Sequence, residues 1–221
     1  MTKKHIILII VSVLTIAIVS VFFIIKNISD NDLGDMEWID EKPNELDEDL
    51  LFKDVSRNYL ASNYIEFLTM RGIMSASGDE NFYPENEVTY EEFIDALVLA
   101  SFRGINFDES LGDAFEEEVK LLEDSNVLAK NQITNSDRSK LIKKIDVATI
   151  LAKADIKVKN NKQKMVDLLF TDLKDLDTVN QTLLSHSVAR GFFINETKKF
   201  YPNSSITRAD LAEVLYCFMN K

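Results

Sequence analysis

The chain has 221 residues, 46% of them hydrophobic, and carries a formal net charge of −12. A chain of this length can bury one good core or two small ones. Its acidic balance disfavours nucleic acid as a partner, because a nucleic-acid surface needs clustered Lys and Arg, and its six glycines leave no Gly-rich loop for cradling phosphates.

The first predicted element is a membrane-spanning helix. Lys3 and Lys4 precede a largely apolar run over residues 6–25, and Lys26 closes it. Twenty residues at about 1.5 Å each span about 30 Å, the thickness of a bilayer core. We expect an uncleaved signal-anchor over residues 1–26, a single pass through the cell membrane with its N-terminus in the cytoplasm. The alternative is a cleaved signal peptide, which would leave the rest of the chain secreted or in the cell wall.

The second predicted element is an acidic linker over residues 27–50. It holds ten acidic residues and one basic residue, Lys42. Dense like charge with few apolar residues cannot form a packed core, so we expect this segment to be extended and solvated.

From residue 51 onward, one helix–loop–helix unit is repeated three times. The second helix of each copy follows a cap position, at Thr89, Lys143 and Thr207, and carries apolar residues at the same four offsets. The three stripes are Phe93, Ala96, Leu97 and Ala100; Val147, Ile150, Leu151 and Ala154; and Leu211, Val214, Leu215 and Phe218. This spacing makes one apolar face of a helix. A single unit cannot bury such a face, so we expect the three to share one core.

Local signals mark where these helices begin and end. Thr207 with Asp210, and Thr89 with Glu92, are capping-box patterns in which hydroxyl and carboxylate each accept a backbone N–H. Lys143 has no such role. The preceding helix of each copy ends at a residue suited to the left-handed conformation, namely Gly72, Asn126 and Gly191.

The third copy reads Phe200-x-Pro-Asn-x-x-Ile-Thr-Arg-Ala-Asp and starts with Phe170-x-Asp-Leu; the first copy starts with Phe52-x-Asp-Val. This ordering resembles the S-layer homology (SLH) domain, in three modules at residues 51–102, 103–158 (degenerate) and 159–221. The resemblance implies an all-α fold with the modules in a pseudo-threefold arrangement. It also implies grooves between modules that bind a cell-wall polysaccharide, often through a pyruvate ketal on a sugar.

The resemblance also points to ligand-binding residues. A carboxylate substituent is well received at a helix N-terminus, where Arg208 can add a bidentate contact. The candidate set is Arg208, Thr207, Asp210, Asn203, Phe200, Asp172 and Lys144. Lys144 occupies the Arg208 position of the second module, and Tyr90 occupies that of the first. A structural alternative is that Arg208 pairs with Asp172 or Asp210 and holds the modules together.

No motif of catalysis, cofactor binding or metal binding is present in the sequence. We expect His186, which lies on a predicted helix without ligand spacing around it, to be a surface or boundary residue. The favoured function is therefore non-enzymatic: a membrane-tethered domain that binds a secondary cell-wall glycopolymer outside a Gram-positive-type membrane. The alternative is a protein-interaction module that assembles or regulates the envelope through a protein partner, without binding sugar.

Overall fold

The structure, a computed structural model, describes residues 50–76, 78–102, 113–158, 166–193 and 198–220. These residues all belong to one compact unit, Asp47–Lys221. The predicted signal-anchor at residues 1–26 and the acidic linker up to residue 49 lie outside the described residues. Among the helices that are described, none is long and apolar enough to cross a membrane.

The described part of the chain is mostly helical, which confirms the all-α prediction at that level. In chain order its elements are β1 (Leu50–Phe52), β2 (Val55–Ser56), α1 (Ser62–Thr69), α2 (Tyr90–Ser101), α3 (Ala114–Asp124), a short 3-10 helix (Asn135–Asp137), α4 (Lys144–Lys157), α5 (Thr178–Ala189) and α6 (Arg208–Asn220). The two strands were not predicted from the sequence; they pair antiparallel, with Leu50 opposite Ser56 and Phe52 opposite Val55.

The local signals for helix starts and stops are confirmed, with one difference. The hydroxyl oxygens of Thr89 and Thr207 accept the N–H groups of Glu92 (3.3 Å) and Asp210 (3.2 Å), and Lys143 makes no side-chain cap. The carboxylate half of each predicted capping box is not formed among the described contacts. Glu92 pairs with Arg208 of another copy instead. The three predicted stop residues have positive φ: Gly72 (65°), Asn126 (59°) and Gly191 (69°).

The predicted apolar stripes of α2, α4 and α6 are all buried, and they belong to one continuous hydrophobic core. The large aromatic members Phe93 and Phe218 are fully inaccessible to solvent. The shared core predicted from the three stripes is therefore observed.

Backbone hydrogen bonds join the starts of α2, α4 and α6 in cyclic order. The residue after each cap position donates its N–H to the carbonyl that lies three residues before the next cap. These bonds are Tyr90 N to Lys140 O (3.0 Å), Lys144 N to Ser204 O (2.8 Å) and Arg208 N to Asn86 O (2.9 Å). A second set follows one residue later: Glu91 N to Arg138 O (3.1 Å), Ile145 N to Pro202 O (3.1 Å) and Ala209 N to Pro84 O (2.9 Å). Each helix start is thus tied to the loop of the following copy, and the third copy is tied back to the first.

Helix packing follows the same cyclic order. Helix α2 packs against α3, α4 against α5, and α6 against α1, so each second helix lies beside the first helix of the following copy. Helix α2 also contacts α4 and α6. Each helix start therefore faces the loop of another copy, and we call each of these three junctions a groove.

Candidate ligand-binding site

The loop before α6 is held by Asp172. Its two carboxylate oxygens accept the N–H groups of Phe200 (3.0 Å) and Tyr201 (2.8 Å). Tyr201 has φ of 56°, a left-handed conformation that a bulky residue adopts only when its surroundings hold it there. Burial opposes ionisation of Asp172, but these backbone hydrogen bonds outweigh it, so the pKa of Asp172 lies below its ordinary value. Asp172 therefore shapes the loop.

The first copy repeats this arrangement at Asp54. Its carboxylate accepts the N–H groups of Phe82 (2.8 Å) and Tyr83 (2.6 Å), and Tyr83 has φ of 57°. The aspartate of each Phe-x-Asp motif thus fixes the aromatic loop that follows about thirty residues later. This explains why the two sequence signals occur together.

The repeat matches each side chain after a cap position with the carboxylate that lies three residues after a neighbouring cap; two of these pairs are in contact, and the members of the third line one pocket. The three equivalent pairs are Arg208 with Glu92, Tyr90 with Asp146, and Lys144 with Asp210. The repeat makes the three pairs equivalent, but the grooves differ in one respect. A groove is closed where the two side chains of its pair contact each other, and open where they do not.

The groove of Arg208 is closed by the chain itself. Arg208 Nε donates to Phe82 O (2.7 Å) and Nη2 donates to Ser75 O (2.7 Å), while Nη1 meets the carboxylate of Glu92. The guanidinium carbon lies 4.4 Å from the centroid of the Phe82 ring. Burial lowers the pKa of Arg208, against the opposing charge of Asp54. The acidic partner is Glu92, so the structural alternative was wrong in naming Asp172 or Asp210.

The groove of Tyr90 is also closed. The Tyr90 hydroxyl donates to Asp146 Oδ2 at 2.8 Å. Burial, with this hydrogen bond, raises the pKa of Tyr90 well above its ordinary value. The hydroxyl is therefore a neutral donor that satisfies the carboxylate.

The groove of Lys144 is open and contains a pocket of about 190 Å³. Its lining residues are Lys144, Phe170, Phe192, Phe193, Lys199, Phe200, Ile206, Asp210, Glu213 and Val214. The Lys144 ammonium lies 5.1 Å from the centroid of the Phe200 ring and 5.9 Å from that of Phe193. Within the described ranges, no carboxylate lies within ion-pair distance of Lys144. The pocket thus combines apolar rings with charged groups of both signs.

The predicted site residues separate into three groups. Lys144, Phe200 and Asp210 line the pocket, whereas Arg208 lies in another groove. Thr207 caps α6, Asp172 fixes the loop, and Asn203 is exposed in the turn between them.

Several lining residues were not predicted from the sequence, notably Phe193, Lys199 and Glu213. A signal for two of them was present. Phe193 follows the helix stop Gly191, and Lys199 directly precedes the Phe200 loop. Glu213 lies on the polar side of α6, and nothing in the sequence distinguished it from a solvated face.

His186 is not the surface or boundary residue that we expected. It is 4% exposed, and its Nε2 lies 2.9 Å from Oδ2 of Asp155, which is fully buried. Arg190 Nε also lies 2.9 Å from the same oxygen. The three side chains tie α4 to α5. Metal-binding groups of three or more His, Cys, Asp or Glu residues are absent from the described segments.

Comparison with known proteins adds the family. Residues 51–94 match the S-layer homology domain, which confirms the resemblance stated from the motifs. No curated protein matches the chain. The match supports a binding or anchoring role in general. Over residues 51–94 the chain is therefore similar to the S-layer homology domain, and this similarity supports a cell-surface-associated role of the attachment kind.

Proposed function

We propose that the chain attaches non-covalently to a secondary cell-wall glycopolymer through the pocket between Lys144 and the Phe200 loop. The observation that carries this proposal is the Lys144 ammonium, which lies 5.1 Å from the Phe200 ring at a pocket of about 190 Å³. A sugar can stack its apolar face on an aromatic ring, and an acidic substituent such as a pyruvate ketal can take a charge-assisted bond from the ammonium. The residues assigned to binding are Lys144, Phe200 and Asp210.

The proposal moves the binding role from Arg208 to Lys144. Arg208 is occupied by two backbone carbonyls and by Glu92, and a ligand would have to displace all three. Lys144 keeps a positive charge without such partners among the described residues. Its ammonium is a compact point charge rather than a planar fork, so it suits a single acidic oxygen.

The test is cosedimentation of the full-length chain, in detergent, with purified cell walls. The Lys144→Ala variant should bind about ten- to a hundredfold more weakly, as expected for the loss of a charge-assisted contact. Lys143→Ala is the matched control, because Lys143 is the adjacent exposed lysine and makes no cap. Walls stripped of their secondary polymer should bind neither the unaltered chain nor the variants. Equal losses in both variants would mean non-specific charge attraction, and unchanged binding of Lys144→Ala would contradict the proposal.

A second candidate function is a protein-interaction module of the envelope, with a protein partner and no sugar. The observation in its favour is that two of the three equivalent grooves are closed by their own side chains, at Arg208 and Tyr90. In that case wall binding should survive removal of the polymer and disappear after mild proteolysis of the walls.

The proposed location is the outer face of the membrane, with residues 1–26 as the anchor. A linker of 24 residues (27–50) reaches at most about 80 Å when extended, so the domain would meet polymer close to the membrane. Antibody against residues 51–221 should label cells only after the wall is digested. Labelling of intact cells would indicate that the anchor is cleaved and that the domain is secreted or in the cell wall.

A further inference from the structure

The Lys144 groove differs from its two equivalents in what stands opposite the carboxylate. Glu92 faces a guanidinium and Asp146 accepts a hydroxyl hydrogen bond, so each has a donor supplied by the chain. Asp210 is the equivalent carboxylate of the third groove and lines the same pocket as Lys144. No hydrogen bond or ion pair joins Asp210 to Lys144 within the described residues. The third pair is therefore open, and its cation and its anion line the same pocket.

The charges of the open pocket limit which ligands it favours. Two lysines and two carboxylates line it: Lys144, Lys199, Asp210 and Glu213. A ligand that carries only negative charge gains from Lys144 but is repelled by Asp210. A ligand that carries only positive charge meets the reverse situation. A molecule that carries both a positive and a negative charge can pair with Asp210 and with Lys144 at once. Asp210 then gains a cationic partner, as Glu92 does from Arg208.

We propose that this pocket selects a zwitterionic amino sugar, whose acidic substituent meets Lys144 and whose unacetylated amine meets Asp210. This rests on the proposed function, of which it names the ligand class. The protonated amine supplies the donor that Arg208 supplies to Glu92. N-acetylation removes this positive charge and adds an acetyl group inside a pocket of only about 190 Å³, so it weakens binding in two ways. Asp210 is then the residue that determines specificity, and Lys144 supplies the contact common to all acidic ligands.

Three sugars test this selectivity on the full-length chain. Muramic acid carries a carboxylate and a free amine, N-acetylmuramic acid carries only the carboxylate, and glucosamine carries only the amine. Dissociation constants are measured from backbone amide shifts of the isotopically labelled chain in detergent micelles, below neutral pH so that the amines are protonated. Muramic acid should bind about ten- to a hundredfold more tightly than either of the others, as one additional charge-assisted contact allows.

Two variants assign the contacts. Asp210→Asn should remove the preference, so that this variant binds muramic acid and N-acetylmuramic acid with equal affinity. Lys144→Ala should weaken muramic acid to the level of glucosamine. Equal affinities of the unaltered chain for muramic and N-acetylmuramic acid would overturn the inference, and this comparison requires no variant to fold. If, with equal affinities, Lys144→Ala still weakened binding of both acids, Lys144 would remain a ligand contact but the selectivity for a free amine would be disproved. Absence of shifts with all three sugars would also overturn the inference, whereas wall cosedimentation decides the proposed function separately.

Discussion

Arg208 should act as a structural tie between the third and first copies, and its removal should destabilise the whole domain. The Arg208→Ala change deletes two hydrogen bonds to carbonyl oxygens, each 2.7 Å long, and leaves Glu92 without its partner. The Arg208 side chain is 14% exposed and that of Glu92 is 28% exposed. Removal of one partner from a largely buried pair costs about 3–5 kcal/mol. For a domain of this size, 1 kcal/mol corresponds to about 2–4 °C, so the melting temperature should fall by about 6–20 °C.

The assay is thermal and urea unfolding followed by far-UV circular dichroism. Lys144→Ala is the matched control, because Lys144 occupies the equivalent position of α4 and has no ion pair among the described residues; it should change stability by less than about 1 kcal/mol. A double-mutant cycle with Glu92→Gln isolates the pair. The Arg208→Lys variant keeps the charge but loses the planar fork, so its melting temperature should lie between those of the unaltered chain and Arg208→Ala.

An unchanged melting temperature of Arg208→Ala, combined with weaker wall binding, would refute this reasoning. Arg208 would then be a ligand contact whose partners in the chain contribute nothing to stability. The opposite result, loss of stability with wall binding retained at saturating polymer, would exclude Arg208 from the binding site.

Three further predictions use the same unfolding assays. Thr207→Ala should cost about 1 kcal/mol through its lost N-cap, whereas Lys143→Ala should be nearly neutral; equal effects would contradict the alignment of the copies. Asp172→Asn should lower stability at neutral pH. Because the native pKa of Asp172 lies below its unfolded value of about 3.9, the stabilisation is complete above that pH and is lost as the pH falls through the native pKa. The difference in unfolding free energy between the unaltered chain and Asp172→Asn should therefore become smaller in acid. A difference that stayed constant would contradict the assignment of Asp172 as an ionised loop anchor. Leu97→Ala and Leu215→Ala should each cost about 2–5 kcal/mol in one cooperative transition, and two separate transitions in calorimetry would show that the copies do not share a core.

The features that could be predicted from the sequence are those with a local physical cause. Thr89 and Thr207 are recognisable as caps because a hydroxyl at that position can accept a backbone N–H from its own helix. Gly72, Gly191 and Asn126 are recognisable as stops because they tolerate positive φ. The β1–β2 hairpin could not be predicted, because strands of three and two residues are too short to show the alternation of apolar and polar residues that marks a strand.

The partners of the site residues could not be predicted, because they depend on the cyclic order of the copies. The repeat shows that Arg208, Lys144 and Tyr90 are equivalent, but not which loop each one reaches. Arg208 contacts Ser75 and Phe82, more than 120 positions earlier in the chain. The burial of His186 has a similar explanation, since its partner Asp155 belongs to a different copy and is not within helical spacing.

The pairing of α1 with α6 has a consequence for how the protein is made. A ribosome delivers Ser62–Thr69 early and Arg208–Asn220 late, so α1 emerges long before the helix that covers it. The nascent first copy must expose its apolar surface while the rest of the chain is synthesised, a stage at which partly folded chains are prone to aggregate. Contacts between such distant segments also slow folding, because a long loop must close before they form. A circular permutant that joins α6 directly to α1 would make this pair local, and it should reach the same core faster than the natural order does.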